Sequence, residues 1–131
     1  MKVVKEVTVA LPNKPGSLAK LCTALAQAKV NIQAMSVVES TDVSVIRMVA
    51  DKPAAVQKVA KGMGVTASTK EVLALSLANK PGVVAKACAK LAAKRVNIDY
   101  IYGSATGTRK SMIVLAAGTA ARAKKALGRG F

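Results

Sequence analysis

The sequence predicts an α+β protein built from one β-α-β-β-α unit used twice, and three observations carry that expectation. The chain repeats itself at an offset of 66 residues. Its apolar residues alternate in some stretches and recur at helical spacing in others. The two kinds of stretch follow one another in the same order in each copy. Between residues 13–32 and 79–98 the repeat reaches twelve identities in a gapless window of 20 positions, including Asn-Lys-Pro-Gly at 13–16 and 79–82 and Val-Asn-Ile at 30–32 and 96–98. Chance does not produce this.

Each element can be justified in turn. Residues 5–11 (KEVTVAL) and 71–77 (EVLALSL) alternate or run apolar, as strands do. After the turn, Leu18, Leu21, Cys22, Leu25 and Ala26 recur at helical spacing, with Lys20 and Lys29 off that face. Val84, Ala87, Cys88, Leu91 and Ala92 repeat the pattern, and Lys86, Lys90 and Lys94 form a stripe expected to be solvated. Second strands open at Asn31 and Asn97. Polar hairpins follow, STD in the first copy and ATGTR in the second, and then third strands over 43–50 and 110–116. A second helix is expected over 53–62, opened by Pro53, with a counterpart over 119–127.

The segment VTASTKEV supplies a fourth strand to the first copy, which completes the split βαβ, ferredoxin-like order βαββαβ, with antiparallel sheets and helices on one face. After Leu127 only GRGF remains. Either VTASTKEVLALSL is one long strand shared between units, or the second unit lacks its last strand. The expected domains are residues 1–70 and 71–131. Units of about 65 residues bury only roughly 60% of their unfolded surface and are marginal alone, so the two are expected to pack together.

Composition narrows the function. The 131 residues are 52% hydrophobic, enough for a core. Lysines interrupt every apolar run, so no membrane span is expected, and Lys2, Lys5 and Glu6 are too dense for a signal peptide. Two cysteines without a framework pattern fit a reducing compartment, and the protein is expected to be soluble and cytoplasmic. The formal charge is +15, with +5 on residues 1–65 and +10 on residues 66–131. Such a balance raises the possibility of a polyanion partner.

The Asn-Lys-Pro-Gly turn has two readings. In the plain one, Pro presets φ for the first helical turn, Asn caps it and Gly tolerates unusual dihedrals. In the other, the same Gly lets a ligand approach the backbone, where helix-end N–H groups suit a carboxylate or phosphate.

Asn-Lys-Pro-Gly-x-Leu/Val after a first strand, with Val-Asn-Ile opening the second, resembles the ACT domain, here in tandem over nearly the whole chain. The resemblance implies a βαββαβ module that binds small ligands, usually amino acids, and regulates metabolic enzymes. It implies paired domains, with ligand at the seam between the first turn of one and the second strand of its partner. One implied site combines Asn13, Lys14, Pro15, Gly16, Ser17 and Leu18 with Asn97 and Ile98. The other combines Asn79, Lys80, Pro81, Gly82, Val83 and Val84 with Asn31 and Ile32. An Asn amide can accept from an ammonium and donate to a carboxylate, which suits a zwitterion. Serine-sensing members carry a histidine two residues before the turn Asn; here Leu11 and Leu77 stand there and the chain has no histidine, which speaks against serine.

The remaining residues favour binding over catalysis. Cys22 and Cys88 lie on the apolar helix face and read as small hydrophobes, with no further ligands for a metal. The acids Glu6, Glu39, Asp42, Asp51, Glu71 and Asp99 are scattered, and without histidine no base–nucleophile constellation forms. The chain is therefore not expected to be an enzyme or to hold a cofactor. Tyr100 and Tyr102 replace Ala34 and Ser36 of the first copy and either fill core or interface space or shape one pocket. Arg122, Lys125 and Arg129 on the last helix add to the basic surface. RNA readers of this fold stack bases on sheet aromatics, and the glycine-aromatic signature is missing, so nucleic acid is not the expected partner. Docking on a metabolic enzyme is the alternative, as small ACT-containing subunits of acetolactate synthase dock on their catalytic partner. A homodimer is also expected, since short units leave strand edges open.

Overall fold

A computed structural model describes residues 1–104 and 109–131. The ATGTR hairpin thus lies outside the described residues except for Arg109. The elements are β1 (Lys2–Pro12), α1 (Ser17–Gln27), β2 (Ile32–Glu39), β3 (Val43–Ala50), α2 (Pro53–Gly62), β4 (Ala67–Ala78), α3 (Val83–Ala93), β5 (Ile98–Ser104), β6 (Lys110–Ala117) and α4 (Ala120–Leu127). They form two compact units, Lys5–Lys70 and Met1–Val4 with Glu71–Phe131.

In the first unit the strand order is β2-β3-β1-β4, β4 entering through Ala67–Lys70. Alternation along β1 sends Val7, Val9 and Leu11 to one face, where they meet Ile46 and Met48 of β3, Leu21 and Leu25 of α1, and Val56 and Ala60 of α2. Each fully buried leucine contributes about 1.5–3 kcal/mol. Register follows from this pattern, with Val9 opposite Ile46 and Val37 opposite Ile46 on its other side. The residues between face away from the helices, and Glu6, opposite Val49, is fully buried there.

The second unit repeats the plan with the order β1-β4-β6-β5, β1 entering through Lys2–Val4. Leu73, Leu75 and Leu77 of β4 pack with Ala87 and Leu91 of α3, Leu115 of β6, and Ala123 and Leu127 of α4. VTASTKEVLALSL is one strand from Ala67 on, the first of the two alternatives. Among the described residues no strand follows Leu127; Lys2–Val4 of β1 stand in the fourth position instead, and Met1 packs against this core.

Helices α1 and α3 end alike. The residue after the cap is left-handed, Lys29 at φ 58° and Arg95 at φ 53°, and is not glycine. The next N–H reaches back five residues, Val30 to the Leu25 carbonyl and Val96 to the Leu91 carbonyl, at 3.0 and 2.9 Å. Both valines are buried, so the Val-Asn-Ile repeat encodes the apolar half of a helix stop. A cation from the second helix region closes each stop: Lys52 Nζ donates to the Lys29 carbonyl at 3.0 Å, and the Arg122 guanidinium donates to the carbonyls of Lys94 and Arg95.

Several expectations need correction. Ala26 and Ala92 are exposed, because the helix stripe facing the sheet is narrower than the apolar pattern. Val84 is 43% exposed, and its neighbour Val83 packs against the core instead. Cys22 and Cys88 are half-buried. Lys90 is not part of a solvated stripe: its Nζ donates to the Leu127 carbonyl at 3.2 Å and lies 5.1 Å from the centre of the Phe131 ring. Arg129 lies beyond the end of α4.

Two predictions test this packing. A methyl group on Gly103 of β5 would run into the Met112 carbonyl and the Ile113 side chain, so Gly103→Ala lowers stability by about 1–3 kcal/mol in urea unfolding. Lys29→Gly relieves a left-handed lysine and raises stability by about 0.5–1 kcal/mol in the same assay, the gain being reduced by glycine's larger unfolded-state entropy.

Candidate functional site

The two turns are built alike. Asn13 N–H donates to the Asp42 carbonyl and Asn79 N–H to the Arg109 carbonyl, both at 2.9 Å, tying each turn to the start of the neighbouring strand. Pro15 and Pro81 precede the helices and do not occupy their first turns. The N-cap is Gly16 at φ 88° in one unit and Gly82 at φ 89° in the other. This left-handed conformation is cheap only for glycine, and it swings the chain from strand into helix within one residue. Lys20 N–H to the Gly16 carbonyl and Lys86 N–H to the Gly82 carbonyl, at 2.9 and 3.0 Å, are the first helical bonds.

Asn does not cap either helix: no side chain does so at α1 or α3. Asn13 instead donates its amide to the Ser40 carbonyl at 2.7 Å, bracing the turn against the β2–β3 hairpin. The first N–H groups of α1 and α3 are therefore approached by no capping side chain, although the Ser17 N–H donates to the Lys14 carbonyl at 3.3 Å, and a Cβ built on Gly16 or Gly82 meets nothing within 4 Å. Space and donors coincide at these turns, which is what an anionic group needs.

The remaining candidates are placed as follows. Asn31 accepts from Asp51 N–H at 3.1 Å and donates its own N–H to the Asp51 carboxylate at 2.9 Å, so β2 opens clamped to the end of β3. Asn97 donates its amide to Asp99 at 3.2 Å. Both Asn side chains are exposed, whereas Ile32 and Ile98 pack half-buried against their cores. Asn13, Lys14, Pro15, Asn79, Lys80 and Pro81 are exposed, and Ser17 and Leu18 are half-buried. Tyr100 and Tyr102 stack with centroids 6.5 Å apart, opposite Ala116 and Val114 on the face away from the helices. That places them off the turn of their own unit.

In the second unit the turn opens into a cleft of about 520 Å³, lined by Ser76, Ala78, Lys80, Pro81, Gly82, Val83, Lys86, Lys110 and the segment Gly130–Phe131 among others. A neighbouring cleft of about 600 Å³ is lined by Ala78, Asn79, Lys80, Arg109 and Lys110. Sequence reasoning missed Lys86, Arg109, Lys110 and Phe131 as site residues. Lys110 reaches the turn through strand register, opposite Ala78, and no sequence spacing announces that. Among the described residues no group of three or more His, Cys, Asp or Glu is placed to hold a metal ion, and no helix is long and apolar enough to cross a membrane.

The model of the ACT domain pair family matches residues 1–128. The chain belongs to that family. No curated protein matches it. Among solved structures, protein BT0572 from Bacteroides thetaiotaomicron is 26% identical with a TM-score of 0.89, over 95% of this chain and 86% of that one. The ligand-free regulatory subunit of aspartate kinase from Thermus thermophilus is 19% identical with a TM-score of 0.73, over 97% and 93%. Aspartate kinase from Synechocystis is 23% identical with a TM-score of 0.64, over 95% of this chain and 25% of the enzyme. The last two share the ACT fold with this chain.

The glycines that start the ACT helices give the prediction here. Gly16→Ala and Gly82→Ala each cost about 1–2 kcal/mol in urea unfolding through backbone strain alone, since no neighbour obstructs the new methyl.

Proposed function

We propose that the chain is a regulatory protein that binds a free amino acid at its two Asn-Lys-Pro-Gly turns and passes occupancy on to a metabolic enzyme. The observation that carries this reading is the pair of uncapped, glycine-started helices with open space at the glycine. The ligand carboxylate sits at the first turn of α3, or at that of α1 beyond the Ser17 N–H that donates to the Lys14 carbonyl, where the helix dipole adds to the hydrogen bonds. Asn13, whose amide group already donates to Ser40, keeps its carbonyl to accept from the ligand ammonium. Asn31, Ile32, Asn97 and Ile98 close such seats in a homodimer. Membership of the ACT domain pair family supports the regulatory role, and one solved protein of the same fold is by name a regulatory subunit of aspartate kinase.

The enzyme contact is assigned to the helices. None of the four carries an acidic residue, while Lys20, Lys58, Lys61, Lys86, Arg122, Lys124 and Lys125 stand on them. Helices commonly place acids in their first turn, so the omission leaves the helices of each unit one-signed, suited to an acidic patch on the enzyme.

A thermal-shift screen against the twenty amino acids at about 1 mM tests the reading. One or a few raise the melting temperature, by an amount set by their concentration relative to Kd. Gly16→Asp with Gly82→Asp removes the effect, since a carboxylate fixed at each helix start repels that of the ligand. Binding unchanged in this double variant places the ligand elsewhere. A response to nucleotides alone, lost at about 0.2 M salt, replaces the reading with simple polyanion attraction.

A further inference from the structure

The two turns share a backbone but not an electrostatic environment, and the difference sits at matched positions. The bonds from Asn13 to Asp42 and from Asn79 to Arg109 make Asp42 and Arg109 equivalent. Strand register makes Val43, opposite Pro12, equivalent to Lys110, opposite Ala78. Lys14 and Lys20 of the first turn recur as Lys80 and Lys86 of the second. The first turn thus has two lysines and an aspartate, and the second has four cations. In the second unit these cations converge on concave surface: Lys80, Lys86 and Lys110 line one cleft, and Lys80, Arg109 and Lys110 line the next. Among the described residues no Asp or Glu lines either cleft.

We propose that the second unit's turn selects a small ligand carrying two negative charges, a dicarboxylic or phosphorylated amino acid, while the first unit's turn takes a neutral zwitterion. The inference rests on the amino-acid-binding reading above and adds the charge class. One carboxylate takes the start of α3, as in either unit. A second anionic group then falls among Lys80, Arg109 and Lys110, where the first unit offers Lys14, Asp42 and Val43. Cations converging on a cleft with low-dielectric walls focus the field there, so a second negative charge is favoured where it would otherwise be solvated. In the first unit Asp42 opposes it. The cleft of about 520 Å³ has room for a small molecule, and Phe131 gives it one apolar wall.

Calorimetric titration of the full chain with matched pairs tests this: L-aspartate against L-asparagine, L-glutamate against L-glutamine, and O-phospho-L-serine against L-serine. The charged member of at least one pair binds about tenfold tighter at about 0.05 M salt, and the margin shrinks at about 0.5 M. The pair that shows it identifies a carboxylate or a phosphate as the second anion. Amide shifts in NMR spectra for that ligand centre on Gly82–Lys86. Arg109→Asp with Lys110→Val abolishes the preference while neutral amino acids stay bound at the unaltered first turn, and the reciprocal Asp42→Arg with Val43→Lys creates a second preferring site at Gly16–Lys20. Equal binding within every pair, or a preference untouched by both swaps, overturns the charge assignment and leaves amino-acid binding standing. Failure of every amino acid to bind overturns both.

Discussion

The left-handed glycine that joins strand to helix is the constraint on which each unit depends. At φ near +88° the chain turns within one residue, so β1 and β4 can each end at the sheet rim while the next helix runs back over the sheet. Leu21 and Leu25, or Ala87 and Leu91, then land on the apolar face of the strands. A residue with a Cβ would pay strain at that point, and a side-chain cap would fill the space at the helix start. Glycine does neither. The same atom-poor position that eases the fold leaves both helix starts without a side-chain cap.

The far end of each helix solves the opposite problem with a different device. There the left-handed position is held by Lys29 or Arg95, and the strain is offset by buried Val30 or Val96 and by a cation on the helix carbonyls. A long basic side chain at this position stays in water and near the negative end of the dipole. Folding stability, helix termination and the placement of the second strand are thus set together in four residues, Lys/Arg-Val-Asn-Ile. The repeat preserves them for that reason.

Much of this was legible in the sequence because it is local. Strand alternation, the Asn-Lys-Pro-Gly turn, Pro53 at the start of α2 and the offset of 66 residues are short-range signals, and the elements they announce lie within a few residues of where they were expected. Asn as a helix cap was a wrong reading of a right position: Gly16 takes that place, and Asn13 is turned to the hairpin. Three things were not legible. The fourth strand of the second unit comes from the far end of the sequence, where no pattern marks Met1–Val4 as belonging with Glu71–Phe131. Lys110 joins the turn only through antiparallel register with β4. Lys90, one of an evenly spaced stripe, is half-buried because the end of α4 and the chain beyond it bring the Leu127 carbonyl and Phe131 to it. Each depends on long-range pairing, which a period cannot encode.

The pattern of divergence between the copies carries the last step. Residues that set backbone geometry are repeated: Asn, Pro and Gly at the turn, Val and Ile at the helix stop. Lys14 and Lys20 recur as well, as Lys80 and Lys86, but other residues around the turn differ: Asp42 and Val43 stand against Arg109 and Lys110, and Ser17 against Val83. A duplicated scaffold under stability constraint alone would let such surface positions drift in any direction, in small steps that nearly cancel. Here the substitutions around the second turn replace an acid and an apolar residue with two cations, both on walls of clefts. On the proposed reading, two turns with one backbone and unequal positive charge report on two ligands, or on one ligand at two concentrations. Either use requires that the frame stay fixed while its lining changes, and that is how the two copies differ.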